Sequence, residues 1–403
     1  MSSQTCDIVI LGGGLAGGLA ALAFARARPD LSLRLVEQGE TLGGHHVWSF
    51  FGSDVGKAGR ELLAPLVEAA WPGYTVRFPQ YDRQLDTSYY AMTSARLDAA
   101  LRAALPAEAI LCNRRALACS ETAVTLSDGT RLEAGAVIDA RGARLAGHLT
   151  GGWQKFVGQR LKLKAPHDLE RPVIMDATVE QIDGYRFLYC LPFAPDEVFI
   201  EDTYYADGTH LDTSAIHARI EAYALARGWR VEAVLDEETG VLPVVAGGDF
   251  DGFWRATGGQ IARAGGRAGL FHAVTSYSVP DAVRFALALA RQDDLSGQAL
   301  AVFSEEWARR HWQRGRFDRA LSAMLFAAAE PRDRYRVLQR FYGLDQRLIE
   351  RFYAGRSTPL DKMRILAGRP PVSISKAIGV LTGLGARPQP LHHSSQSPSG
   401  VRK

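Results

Sequence analysis

Six residues near the N-terminus, Gly12-Gly13-Gly14-Leu15-Ala16-Gly17, restrict the fold of this chain more than any other segment. They follow Asp7-Ile8-Val9-Ile10-Leu11, an apolar run of the kind a buried parallel strand needs. They open an Ala- and Leu-rich stretch, Leu19 to Arg28, that predicts a helix ended by Pro29-Asp30. Leu31 to Val36 reads as a second strand, finishing on Glu37. The result is a βαβ unit of about thirty residues. In Gly12-x-Gly14-x-x-Gly17 the first glycine permits the turn, the second lets backbone approach a pyrophosphate, and the third lets helix and strand pack closely. The free N–H groups at the helix start then meet the phosphates. Glu37, 23 residues past Gly14, suits ribose hydroxyls and would repel a 2′-phosphate, so FAD or NAD fits better than NADP.

Two later segments bear on that choice. Ala136-Val137-Ile138-Asp139-Ala140-Arg141-Gly142 resembles the apolar strand plus Ala-Thr-Gly of flavoproteins of the glutathione-reductase type, with Arg141 at the Thr position. A strand within Thr257–Ala264, followed by a tight loop Gly265-Gly266-Arg267-Ala268-Gly269, resembles that group's C-terminal flavin segment. There a helix start points at the isoalloxazine ring and favours an anionic reduced flavin. The usual Asp after the first glycine is missing here. Three segments in the expected order imply FAD, with Gly12, Gly14, Gly17, Glu37, Gly265, Gly266 and Gly269 as cofactor-binding candidates.

Length and composition bound the rest. At 403 residues the chain has room for two to three domains, and 47% hydrophobic with 23% charged residues is ordinary for a globular protein. That excludes a disordered chain, a collagen-like repeat and a coiled coil. Forty-seven basic against 44 acidic residues, a net +3, gives no argument for nucleic acid. Cys6, Cys112, Cys119 and Cys190 include no C-x-x-C pair and are expected as buried reduced thiols. No charged leader or apolar run of about 18 residues is present, so a cytoplasmic protein, soluble or at a membrane surface, is expected.

The expected architecture is α/β: a glutathione-reductase-type FAD-binding (Rossmann-like) domain with an inserted mixed or antiparallel β-sheet substrate domain and a helical C-terminal region. Residues 1–150 and 257–300 form the first, 151–256 the second and 301–386 a membrane-proximal helical region, with 387–403 a disordered tail. Gly39 to Arg83 reads as loop with an interrupted helix, and Ser94 to Leu105 as a helix capped by Ser94. Ser127-Asp128-Gly129-Thr130 reads as a hairpin turn, and Pro280 to Arg291 as a helix.

The second domain centres on a hairpin, Tyr185–Pro192 and Glu197–Tyr205, turning at Ala194-Pro195-Asp196. Seven aromatics fall within its 21 residues, where the 9% average predicts about two. Such density suits an apolar substrate or a cation held on aromatic faces, and equally a well-packed sheet core. Glu201 and Asp202 interrupt the run, and strand geometry sends them to opposite faces. A carboxyl held among aromatics would be protonated at neutral pH through desolvation and able to donate to carbon. His45, His46 and Trp48 lie in a glycine-rich loop where a structural role is the expectation, and no spacing suggests a metal site. Later, Trp307, Trp312, Phe317, Leu321, Met324, Leu325 and Phe326 interleave with Arg309, Arg310, Arg314, Arg316 and Arg319. That pattern suits an interfacial membrane helix, or an ordinary helix packed on the domain.

Five blocks together resemble the bacterial-type lycopene β-cyclases, an FAD-dependent family. They are Gly43-Gly44-His45-His46-Val47-Trp48-Ser49-Phe50, the strand Phe187 to Pro192, Phe199-Ile200-Glu201-Asp202-Thr203, Gly266 to His272, and Phe352 to Pro371. The likeness covers nearly all of the chain except its tail. It implies an isomerase of carotenoid biosynthesis that closes the ψ-ends of lycopene to β-ionone rings, by way of γ-carotene to β-carotene, without net redox change. FAD would be reduced by NADPH, and a peripheral membrane location is implied by the substrate. Such chemistry needs a proton donor, a shelter for a tertiary carbocation and a base. The resemblance makes Glu201 the candidate acid and Asp202 a second acidic candidate, orienting the first or supporting the fold. The competing readings are an FAD-dependent reductase or monooxygenase acting on a prenyl lipid, and a non-catalytic lipid carrier.

Overall fold

The computed structural model describes residues 3–256, 258–368, 375–376, 379–380 and 384–392, and three sheets organise it. The first, of seven strands, holds the βαβ unit. Strands Ser3–Leu11 and Leu33–Val36 run parallel, with helix Leu15–Ala27 between them in sequence. Arg131–Asp139 lies parallel on the other side of Ser3–Leu11, and the short strand Ala262–Arg263 pairs beyond it. Continuous apolar runs suit strands covered on both faces. Ile8 and Ile10 pack with Leu19, Phe24 and Phe285, while Val9 and Leu11 pack with Val124, Leu126 and Val137.

The second sheet has eight strands. Its long strand Leu149–Leu163 is flanked on one side by Glu197–Ala206 and on the other by Val231–Gly248, both antiparallel. The expected hairpin is present as Tyr185–Ala194 and Glu197–Ala206. Two strands from early in the chain, Tyr74–Phe78 and Tyr81–Leu85, complete the far edge. A third sheet pairs Val47–Phe51 and Val67–Trp71 with Tyr89–Thr93. Its Phe50 enters the core of the first sheet and its Phe51 the aromatic core of the second.

Several expectations change. The stretch Gly39–Arg83 is not mainly loop: it carries helix Lys57–Leu63 and the strands Val47–Phe51, Val67–Trp71 and Tyr74–Phe78. These are five-residue strands, too short for local periodicity to reveal, and each has a partner well along the chain: Tyr89–Thr93 for the first two and Val173–Asp176 for the third. Thr93, not Ser94, caps helix Ser94–Ala104, its hydroxyl accepting from the Arg96 N–H at 3.3 Å. Only Ala262–Arg263 of the strand expected over Thr257–Ala264 forms, and Thr257 lies outside the described residues. Gly265–Ala268 is a single 3₁₀ turn closed by Gly269 at φ 69°, a conformation that favours glycine. In the stretch read as a tail, Gln389 and Pro390 pair with Gly151 and Thr150 and Leu391 is fully buried; residues 393–403 lie outside the described residues. All four cysteines are free, but only Cys190 is fully buried.

The C-terminal helices use their aromatic faces for packing. In helix Gly297–Arg314, Trp307 sits against Phe285 and Phe303, and Trp312 against Phe250. In helix Arg316–Ala327, Leu325 is buried and Phe326 stacks on Tyr205 with ring centroids 6.5 Å apart. The exposed apolar ridge lies instead on helix Pro359–Leu366, where Leu360, Met363 and Leu366 are 70%, 62% and 54% exposed. No helix among the described residues is long and apolar enough to cross a membrane.

Candidate active site

The glycine loop has the close contacts that its three glycines predict. A Cβ at Gly17 would collide with the Gly12 carbonyl oxygen, and one at Gly12, where φ is 98°, would sit 3.0 Å from the Ala140 carbonyl oxygen. Nothing lies within 4 Å of a Cβ built on Gly14, which leaves the helix start open. Helix Leu15–Ala27 has no side-chain cap and no acidic residue in its first turn, so its N–H groups face a space that favours anions. Gly12, Gly14 and Glu37 line a cavity of about 420 Å³ with Arg114, Arg141 and Arg267. Glu37 accepts from the N–H groups of Gly13 at 2.7 Å and Gly39 at 2.8 Å, which fixes its carboxylate at the end of the second strand. Arg141, the departure from the flavoprotein pattern, grips Asp139 through Nε at 2.9 Å and a terminal nitrogen at 2.8 Å. Gly265 packs against Ala16, where an added Cβ would lie 2.5 Å away, so the late glycine segment closes onto the early one. An open helix start, paired guanidinium groups and a fixed carboxylate together fit an FAD.

A second cavity of about 420 Å³ has Gly142, Ala143 and Gly266 in its wall together with Glu201, so the flavin-type segments share one space with the acid. Trp48, Phe51, Tyr89, Phe156, Phe187, Tyr189, Tyr205, Tyr277 and Tyr353 give that space its aromatic lining. Gly269 lines a separate pocket with Phe271 and His272.

Alternation along Glu197–Ala206 separates the two acidic candidates. Phe199 and Tyr205 join the cavity-side core, whereas Ile200 and Tyr204 pack against helix Thr213–Ala226 on the other face. Asp202 goes with the latter. It is fully buried, held by Arg186 Nε at 2.8 Å and a second guanidinium nitrogen at 2.9 Å, and accepts from Tyr204 Oη at 2.7 Å. Burial raises its pKa and Arg186 opposes that rise. It does not line the cavity.

Glu201 faces the cavity opposite Tyr189 on one neighbouring strand and Gly158 on the other. Desolvation raises its pKa well above the carboxylate range, and the charge of Glu238 and a hydrogen bond with it push the same way. The Thr203 hydroxyl, donating to Glu201 Oε1 at 2.5 Å, pulls the other way. Desolvation thus favours the neutral form of Glu201.

These features decide the family. Residues 7–378 match the family described as lycopene cyclase protein. The chain belongs to the lycopene cyclase family. It is 44% identical over 371 residues to lycopene beta-cyclase of Pseudescherichia vulneris, covering 92% of this chain and 96% of that relative. It is also 44% identical over 380 residues to lycopene beta-cyclase of a Paracoccus species, covering 94% and 97%. Among solved structures, a geranylgeranyl bacteriochlorophyll reductase-like protein of Thermoplasma acidophilum superposes at a TM-score of 0.58 with 11% identity, covering 95% of this chain and 100% of that one. A probable FAD-dependent monooxygenase of Pseudomonas aeruginosa superposes at 0.54 with 17% identity, covering 84% and 99%. The fold is the α/β fold of FAD-dependent oxidoreductases and monooxygenases, with mixed sheets and C-terminal helices.

Sequence reasoning missed Glu238 at this cavity. It lies in strand Val231–Gly248, 6% exposed, across Gly158 from Glu201. Its Oε2 accepts from the Val47 N–H at 3.0 Å and lies 3.3 Å from His46 Nδ1. The segment Asp236-Glu237-Glu238 looks like a solvated acidic run. Only the two-residue alternation of the strand, with Glu237 paired to His217 at 2.8 Å, hints that Glu238 turns elsewhere. Asp54 was also missed: buried, it accepts from the Phe51 N–H at 2.9 Å and from the hydroxyl of Tyr277 in the cavity wall.

Proposed function

We propose that the aromatic cavity holds one ψ-end of lycopene at a time and closes it to a β-ionone ring, with Glu201 as proton donor. The activity is that of a lycopene β-cyclase, an isomerase of carotenoid biosynthesis. The observation that carries the mechanism is the Glu201 carboxyl, half-buried in the wall of an aromatic cavity where desolvation favours its neutral form. Its O–H lies where a terminal double bond would enter, and proton transfer there creates a tertiary cation. The faces of Trp48, Tyr89, Tyr189 and Tyr277 exclude water and attract that cation. Asp202, tied to Arg186 behind the sheet, supports the strand that presents Glu201.

Gly12, Gly14, Gly17 and Glu37 would hold the nucleotide half of FAD, and Gly265 and Gly266 would approach its ring. When bound and reduced at the expense of NADPH, FAD supplies an electron-rich ring whose negative charge stabilises a cation nearby. Lycopene resides in lipid, and we assign the peripheral membrane contact to helix Pro359–Leu366. Its exposed Leu360, Met363 and Leu366 lie beside Lys362 and Arg364.

The test is expression in cells that accumulate lycopene, with the pigments separated by chromatography and weighed by mass spectrometry. Ring-closed pigments of unchanged mass are expected. Two added hydrogens would establish a reductase and one added oxygen a monooxygenase. Glu201→Gln should abolish the new pigment while leaving bound FAD, a loss of about 10²–10⁴ in rate for a missing general acid.

A further inference from the structure

We infer that Glu201 and Glu238 form one carboxyl pair, in which Glu201 gives the proton that starts ring closure and Glu238 takes the proton that ends it. This rests on the reading of Glu201 as the donor in a cyclisation site.

The register places the pair. Gly158 on the long strand Leu149–Leu163 stands opposite Glu201 on one side and opposite Glu238 on the other. A side chain at 158 would occupy the space between them: its Cβ would collide with the Phe199 ring and lie 3.3 Å from Glu238 Cγ. Both carboxyl groups line the same aromatic cavity, close enough for the charge of Glu238 to act on Glu201. Their surroundings are unequal. Two nitrogens converge on Glu238, the Val47 N–H and His46 Nδ1, whereas Glu201 is desolvated and receives the Thr203 hydroxyl. Desolvation favours the proton-bearing form of Glu201, and the nitrogens on Glu238 place its carboxyl beside it as the acceptor.

The balance closes without an external reagent. The Glu201 O–H bond breaks and a C–H bond forms at the inner, CH carbon of the terminal double bond, which leaves a tertiary cation on the dimethyl carbon. The internal double bond then closes the ring on the resulting cation. A ring C–H bond breaks, its electron pair becomes the ring double bond, and its proton goes to Glu238. Return of that proton from Glu238 to Glu201 within the shared cavity restores the starting state. No electrons are gained or lost, as an isomerisation requires.

Other charged groups packed around the pair have their own partners. Asp202 lies behind the sheet on Arg186, and Arg160 binds Glu68 at 2.8 Å. Asp236 and Glu237 reach His45 at 3.7 Å and His217 at 2.8 Å, and Tyr189 shares a hydrogen bond with Tyr89 at 2.6 Å. His46, whose side chain is 45% exposed, is the remaining titratable neighbour. It lines both the aromatic cavity and an outer pocket with Thr41 and Asp98.

The experiment uses FAD-loaded, chemically reduced enzyme with lycopene in phosphatidylcholine vesicles, and follows ring formation from pH 5 to 9. Wild type is compared with Glu201→Gln, Glu238→Gln and Glu238→Asp. Wild type should give a bell-shaped profile: the acid side reports loss of the base, the alkaline side loss of the donor. Glu238→Gln should lower kcat by about 10²-fold or more with KM little changed. Its residual rate should also fall away at lower pH than wild type, because the charge that raises the Glu201 pKa is gone. Glu238→Asp should recover part of the rate. Wild-type kcat and an unmoved alkaline side in Glu238→Gln would overturn the pair and, with Glu201→Gln inactive, leave the donor reading intact. An active Glu201→Gln would overturn the donor reading itself. If Glu238→Gln does not retain FAD, Glu238→Asp decides: its alkaline side should still move down, and an unmoved one overturns the pair.

Discussion

The glycine-loop cavity and the aromatic cavity are assembled in contrasting ways. The first is made mostly by a short run of chain. Gly12, Gly14 and Gly17 act through their own backbone, and Glu37, at the end of the very next strand, reaches back to Gly13 at 2.7 Å. The second is made across strands. Glu201 and Glu238 come together only because both stand opposite Gly158, and the nitrogens beside Glu238 belong to residues 46 and 47. A site built from backbone in a contiguous loop tolerates change in the surrounding side chains. A site built from side chains on three strands depends on register, and a one-residue slip would send both carboxylates to the wrong face.

The largest expected effect tests the local half of that contrast. Gly17→Ala places a methyl group against the Gly12 carbonyl oxygen and 3.3 Å from Ala140 Cβ. The purified variant should lack bound flavin by its visible absorbance and should form no ring-closed pigment; a yellow, active protein would break the comparison. Asp202→Asn tests the far face of the second sheet. It leaves the Arg186 guanidinium, 7% exposed, without its charged partner, and should cost about 3–5 kcal/mol in urea unfolding. Ring closure per folded molecule should fall far less than in Glu201→Gln, and an equal fall would place Asp202 in the chemistry after all.

Gly158→Ala sharpens the cross-strand half. One methyl group at the crossing point overpacks Phe199 and Glu238, at a cost of about 1–3 kcal/mol. FAD content should be retained while kcat drops by about tenfold as the carboxyl groups are pushed apart, a misplacement effect. The smallest effect concerns Asp54, whose carboxyl burial pushes up to about 6 from the ordinary 3.8. A raised carboxyl pKa favours the folded state most at low pH, and that stability is lost as pH rises from about 4 through 6. Asp54→Asn cannot ionise, so its stability relative to wild type should improve by about 1–3 kcal/mol between pH 4 and pH 8. Urea unfolding at the two values reads it; a constant difference would mean Asp54 is already neutral or already charged at both.

The sequence by itself determined the elements whose causes are local. The Asp7–Leu11 run, the glycine loop, the following helix and Glu37 all stand where spacing puts them. So does the hairpin around Ala194-Pro195-Asp196, because backbone geometry and turn chemistry act over a few residues. Alternation also sufficed to send Glu201 and Asp202 to opposite faces of their strand. Which face was the cavity, only the tertiary structure decided, because Arg186 and Tyr204 had to be seen on Asp202. The same holds for the five-residue strands within Gly39–Arg83, which exist through partners elsewhere in the chain. It holds for the aromatic face of Trp307 to Phe326, which a linear pattern offers equally to lipid and to protein. Glu238 is the clearest case. In the sequence it is one acid in an acidic run, and it becomes the neighbour of Glu201 only when strand pairing brings residues 158, 201 and 238 side by side. Desolvation and the neighbouring Glu238 then disfavour the charged form of Glu201.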